Sequence, residues 1–196
     1  MTPRIQAWRA DFADYQREAD VLKLWFVDEA GSHVGMTRDY ARAPRGERAV
    51  GTAPRNRGTV LTMIGSLSID GMGPLMTIEG GTSGDVFLAY IESCLGPVLR
   101  PGDVVVLDNV GAHRDARVRA AVETRGARLK FQPAYSPDLN PIELAWSKLK
   151  ALLKTAKART LDALNDAIAN AMALIDDHDD APAWFRCCGW SDGHDH

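Results

Sequence analysis

Two short stretches constrain the fold of this chain more than any others: residues 21–27, apolar at every position but Lys23, and residues 103–107, where Asp103 precedes Val104, Val105, Val106 and Leu107. Apolar runs of this length, without the alternation of a half-exposed strand, read as strands buried in a sheet. Each run stops at an acid, Asp28 followed by Glu29 and Asp108 followed by Asn109. The two most hydrophobic strands belong side by side at the middle of the sheet, which would bring Asp28 and Asp108 together at the strand ends. An acid after a strand is also an ordinary turn residue, and either aspartate alone fits that reading.

The other segments assemble around this pair. Ile5, Trp8, Phe12 and Tyr15 recur at helical spacing over residues 4–19. Residues 60–69 and 74–79 read as a hairpin turning at Asp70 and Gly71, and residues 128–132 as a short strand. Thr82, Ser83 and Asp85 offer helix-capping oxygens before Val86, Phe87, Ile91 and Leu95, with an end near Gly96 and Pro97. Residues 115–125 form a charged helix with Val118, Ala121 and Val122 inward, closed by Gly126. Residues 161–175 carry Leu161, Leu164, Ile168, Met172 and Ile175 on one helical face, whereas residues 38–58 show no periodicity and read as an extended or looping segment. This order predicts an α/β fold, a mixed sheet of about five strands flanked by helices. A length of 196 residues suits one domain: a helical extension over 1–20, a core over 21–157, and a C-terminal helix with an acidic tail over 158–196.

Residues 135–150 carry the third acid. Asn140 suits an N-cap, Pro141 the first helical position and Glu143 the third, which is a capping box. In that helix, running to about Lys157, Ile142, Trp146, Leu149 and Leu153 form the buried stripe, while Glu143, Ser147, Lys150 and Lys154 share the neighbouring face. Glu143 therefore has two readings, a helix cap or a metal ligand completing a site with Asp28 and Asp108. Phosphoryl transfer on DNA uses two divalent ions ~3.5–4 Å apart, and magnesium takes oxygen ligands, so three carboxylates would suit it. His113, five residues beyond Asp108, reads either as a catalytic helper or as a structural residue, and Asp138 as a turn-former.

Composition narrows the partners. No apolar run approaches the ~18–20 residues of a membrane span, and the Met1 end lacks a signal-peptide core, so a cytoplasmic protein is expected. Cys94 and the adjacent Cys187 and Cys188 do not suggest a disulfide framework, and no spaced Cys/His pattern suggests zinc. The net charge of −3 hides an asymmetry, because residues 176–196 carry −5 and the rest +2. Arg42, Arg45, Arg48, Arg55 and Arg57 in one stretch, and Lys148, Lys150 and Lys154 in another, are candidate contacts to DNA phosphates.

Four groups of residues together resemble a known family: Phe26 to Glu29; Ala43 to Gly46; Val106 to Asn109 with His113; and Pro133 to Glu143 with Trp146 and Lys150. A Cys188-Gly189-Trp190 ending adds to them. From about residue 20 to 190 the chain is similar to the catalytic domain of bacterial insertion-sequence transposases of the mariner-like DDE superfamily, and the 34 residues between Asp108 and Glu143 match its spacing. The resemblance implies a ribonuclease-H-like fold in which Asp28, Asp108 and Glu143 are the catalytic acids and hold two Mg2+ or Mn2+ ions. It implies cleavage of transposon-end DNA, then attack of the freed 3′ hydroxyl on target DNA, commonly at TA, by a homodimer on the bacterial nucleoid. Glu29, Asn109, His113 and Asn140 match as accessory positions without assigned roles. Members of the family carry helix-turn-helix domains before this core, where this sequence has about twenty residues. A separately encoded helix-turn-helix partner is one expectation. The alternatives are a truncated, inactive remnant that only binds DNA or regulates, and a nuclease that cuts without joining.

Overall fold

In the computed structural model, which describes residues 2–38, 40, 42–50, 54–56, 58–175 and 180–190, the two apolar runs lie side by side at the centre of a five-stranded sheet. Its strands are β1 (Leu24–His33), β2 (Val60–Ser68), β3 (Gly71–Glu79), β4 (Val104–Leu107) and β5 (Arg128–Phe131), in the order β3-β2-β1-β4-β5. β1, β2 and β3 are antiparallel neighbours, whereas β4 runs parallel to both β1 and β5. The mixed sheet follows from chain connection. The hairpin supplies the antiparallel side, and crossovers through helices supply the parallel side, where all four residues of β4 are buried.

Around the sheet lie α1 (Pro3–Glu18), α2 (Gly84–Tyr90), α3 (Ala116–Thr124), α4 (Ile142–Ala156), α5 (Leu161–Ile175) and α6 (Asp180–Cys187). Successive strand residues point to opposite faces, so each central strand feeds two cores. Leu24, Phe26, Val104 and Val106 pack with Phe12 of α1, Trp146 and Leu149 of α4, Ile168 of α5 and Phe185 of α6. Val27, Val105 and Leu107 pack with Phe87 and Tyr90 of α2 and Val118 and Val122 of α3. Asp28 is in phase with Phe26 and Ala30, which places it on the α4 side. The described C-terminal residues close the first core, since Trp190 meets Phe26 and Phe12 edge-on at 5.1 and 5.7 Å between ring centroids. Among the described residues no helix is long and apolar enough to cross a membrane, and Cys94, Cys187 and Cys188 are free thiols.

Two expectations need correction. Residues 21–23 form a 3-10 turn, with the Asp20 carboxylate accepting from the Leu22 N–H, so β1 starts only at Leu24. β1 also continues through Asp28 to His33 instead of stopping at the acid. The parallel pairing with β4 ends at Val27 and Leu107, but the antiparallel pairing with β2 carries on from Asp28 opposite Gly65 to His33 opposite Val60. Asp28 thus marks the end of one partner, not of its own strand.

Candidate active site

Beyond Leu107 the sheet loses β4 as a neighbour of β1, and a cleft of about 350 Å³ opens there, lined by Asp28, Asp108, Asn109, Tyr135, Asn140 and Glu143 among others. Three elements far apart in sequence thus bring their acids to one cavity: the middle of β1, the end of β4 and the first turn of α4.

The acids are held differently. Asp28 Oδ1 accepts from the Glu29 N–H at 2.7 Å. Burial pushes its carboxyl up to about 7; the Glu29 N–H opposes this, and the charges of Glu143 and Asp108 add to it. Asp108 Oδ1 accepts from His113 Nδ1 at 2.5 Å and from the Val110 N–H at 3.4 Å. Burial works against its ionisation, yet the hydrogen bond and charge of His113 outweigh burial and hold Asp108 below the usual carboxylate range. His113 is itself 1% exposed, stacked on Phe87 with ring centroids 4.0 Å apart. Burial alone would lower its pKa, but Asp108 and Glu29 raise it to about 9, so the ring is an imidazolium at neutral pH. Its Nε2 lies 3.5 Å from Glu29 Oε1 and counts among the buried atoms without a hydrogen-bond partner. At that distance the contact is a charge attraction rather than a formed hydrogen bond.

Glu143 is placed by its helix. Trp146, one turn on, is buried against Gly65 on β2, where a Cβ would lie 2.7 Å from the indole. The expected capping box is not formed. Asn140 is extended and buried, Pro141 takes the cap position in the αR region, and no side chain caps the helix start. The first turn is closed by backbone bonds, from the Glu143 N–H to Asn140 O at 3.1 Å and from the Leu144 N–H to Pro141 O at 3.1 Å. The Glu143 carboxylate is exposed, with no capping bond to make.

The loop leading to α4 is fastened from both chain ends. Arg9 of α1 donates through Nη1 to Ser136 Oγ at 2.6 Å, and through Nη1 and Nη2 to the two carboxylate oxygens of Asp138 at 3.1 and 2.5 Å. Trp190 Nε1 donates to Leu139 O at 3.0 Å, and Gln132 Nε2 donates to the same oxygen at 3.4 Å. Between these anchors Tyr135 has a φ of 57° and is 86% exposed.

With this geometry established, comparison with known proteins places the chain. The family profile described as DDE superfamily endonuclease matches residues 23–165. This chain belongs to the DDE superfamily endonucleases. It is 26% identical to the transposable element Tc1 transposase of Caenorhabditis elegans over 179 residues, 86% of this chain and 65% of that protein. The fold is shared with the Mos1 transposase in its paired-end complex with the left transposon end, with a TM-score of 0.70 at 18% identity over 96% of this chain and 59% of that one. The Mos1 mariner paired-end complex with Mg gives a TM-score of 0.68 at 19% identity, over 95% of this chain and 57% of that one. The sheet and its flanking helices are thus the ribonuclease-H-like arrangement of the Mos1 transposase. The chain spans less than two thirds of each of these relatives.

The donor set of this DDE endonuclease suits divalent metal. All three acids offer hard oxygens, and no lysine or arginine lines the cleft among the described residues. The hydrogen bonds to Asp28 and Asp108 fall on Oδ1 in both cases, so neither Oδ2 receives one from a described residue. Burial pushes Asp28 up and the charges of Glu143 and Asp108 add to it, and a cation bound there would favour the ionised form against both. Among the described residues no three such side chains already converge to a ready-made metal cluster.

The remaining predicted positions divide. Asn109 and Asn140 line the cleft, and Asn109 accepts from Arg114 Nε at 2.5 Å. Glu29 lies on the opposite strand phase from Asp28 and reaches His113 instead. Arg42, Arg45, Arg48 and Arg55 are exposed, whereas Arg57 lies outside the described residues. Lys148 pairs with Asp180 of α6, while Lys150 and Lys154 are half-buried on α4. Arg9, Gln132 and Gly65 were not singled out from sequence. Arg9 looks like any surface arginine of an amphipathic helix, and nothing in local spacing links it to Asp138.

Proposed function

We propose that this DDE endonuclease is the catalytic domain of a transposase, cutting transposon-end DNA and transferring the freed 3′ hydroxyl into target DNA, with TA as the target step. One observation carries the reading: Asp28, Asp108 and Glu143 line a single cleft in a DDE-family fold. Similarity to the Tc1 transposase and to Mos1 bound to transposon-end DNA supports it.

Asp28, Asp108 and Glu143 would together hold two Mg2+ or Mn2+ ions, whose charge, once bound, neutralises the phosphodiester and acidifies the attacking oxygen. The protein's part is placement. His113 keeps Asp108 ionised and fixes its Oδ1, leaving Oδ2 as the open donor. The contact of Trp146 with Gly65 sets where Glu143 stands. The exposed Arg42, Arg45, Arg48 and Arg55, with Lys150 and Lys154 along α4, would meet the DNA backbone, a sequence-independent attraction that holds the strand. The paired-end arrangement of the Mos1 complexes supports two copies acting on two ends.

The test incubates the purified chain with DNA ending in the terminal repeats of its element, with Mn2+ and a helix-turn-helix partner supplied, and resolves nicked and joined products on a denaturing gel. Asp108→Asn and Glu143→Gln are expected to abolish both products. No metal-dependent nicking or joining by the wild type would overturn the function. Undiminished cleavage by both variants would overturn the site.

A further inference from the structure

We infer that Tyr135 is a base-stacking residue, whose ring takes the face of a nucleobase of DNA lying in the carboxylate cleft. The inference rests on the reading above that DNA occupies this cleft, and adds to it a residue that holds the base while the acids face the phosphate.

The backbone is the first observation. Tyr135 sits at φ 57°, in the left-handed region where a Cβ crowds the chain and where glycine or asparagine is at ease. Such a conformation persists only when its surroundings impose it. Here they do, since Ser136 and Asp138 are gripped by Arg9 and Leu139 O is held by Trp190 and Gln132. The anchors act on the residues that flank Tyr135, and none engages its side chain.

The ring is the second observation. At 86% exposure it contributes almost nothing to either core, so neither packing nor backbone preference calls for tyrosine at this position. What the clamped loop achieves is to present an aromatic face rigidly at the wall of the cleft, next to Pro133, Ala134 and Pro137. The chemistry of a nucleotide then divides naturally along the cleft wall. Three carboxylates with open oxygens suit a metal-bound phosphate, and an exposed π face with apolar neighbours suits the adjoining base. Stacking of this kind accepts any base, because every base has a π face.

The test uses the full chain and a DNA hairpin with a 3′ tail of six thymidines, in calcium buffer to hold cleavage off. One tail position at a time carries 2-aminopurine, whose fluorescence falls when it stacks on an aromatic ring. Binding is read by anisotropy and stability by thermal melting. Tyr135→Phe keeps the ring and should bind within about twofold of wild type. Tyr135→Asn suits the left-handed backbone but has no ring, and should bind about tenfold more weakly. It should also lose the quenching that wild type and Tyr135→Phe show at one tail position, with a melting temperature equal to or above that of wild type. Unchanged binding and quenching in Tyr135→Asn overturns stacking and leaves the proposed function standing. A melting temperature that falls together with binding assigns the ring to loop packing, which also overturns it. A wild type that binds no DNA overturns both stacking and the function.

Discussion

Gly65 and Trp146 meet with no room for a side chain between them, because a Cβ on Gly65 would lie 2.7 Å from Cη2 and 3.3 Å from Cζ2 of the indole. Gly65 is the cross-strand partner of Asp28, and Trp146 stands one turn after Glu143. A single contact therefore sets how closely the helix carrying one acid approaches the strand carrying another.

Gly65→Ala is accordingly expected to destabilise the fold by ~1–3 kcal/mol, the usual cost of overpacking a full core. Its effect on catalysis should be larger than its effect on stability, since a shift of ~1 Å in a catalytic group can cost ~100-fold in rate. Urea denaturation beside a cleavage assay checks both. A variant as active as wild type would show that α4 can ride up without moving Glu143 out of place.

The pairing of His113 with Asp108 has a pH signature. The folded state holds the His113 proton more tightly than the unfolded chain, with a pKa of about 9 against an ordinary 6.5. Its stabilising contribution is therefore complete below about pH 6.5 and disappears as pH rises through about 9. His113→Gln should cost roughly 1.5–3 kcal/mol at pH 6, and the gap to wild type should narrow steadily toward pH 9.5. Denaturation midpoints across that range measure it, and a gap independent of pH would mean that His113 packs without bearing charge.

Asp28 shifts stability in the same direction, in a lower pH interval. Its folded pKa of about 7 lies above the ordinary 3.8, so without metal the fold loses stability as pH rises from about 4 to 7. A cation takes the ionised form, so Mn2+ should bind more tightly as pH climbs through that interval and should displace a proton at pH 6. Calorimetry in two buffers of different ionisation enthalpy counts that proton. Asp28→Asn should remove both the proton release and the pH dependence of affinity.

Arg9→Ala separates loop anchoring from stability. The ion pair with Asp138 is half-exposed, with the Asp138 side chain open to solvent, so its loss should cost about 1 kcal/mol. The loop feeding Glu143 would lose its two-oxygen fork and its bond to Ser136, and cleavage should fall several-fold. Arg9→Lys should not restore it, because an ammonium cannot span both carboxylate oxygens in one plane. Full rescue by lysine would show that charge alone holds the loop.

Much of the central architecture could be read from residues 21–27 and 103–107, because a strand buried on two faces needs apolar residues at nearly every position and few other structures do. The α4 stripe of Ile142, Trp146, Leu149 and Leu153 was legible for a similar reason, its helical period being local. The position of Asp28 within β1 was not legible, because it depends on β4 ending opposite Val27 while β2 continues to His33, a matter of relative strand lengths. The cap assignment failed by one residue. Asn140 and Glu143 have the right spacing for a capping box, but Asn140 is drawn into the buried wall of the cleft and the helix starts after Pro141. Asp138 reads locally as a turn residue, and its partner Arg9 lies too far away in sequence for any pattern to join them.

The unequal lengths of β1 and β4 have a mechanical consequence. The wall that bears Asp28 belongs to a strand still paired with β2, a ladder that resists deformation, while the opposite wall is a proline-containing loop held by a few side chains. One wall is therefore set by strand pairing and the other by a handful of side-chain bonds, so single substitutions can reshape the second wall far more readily than the first.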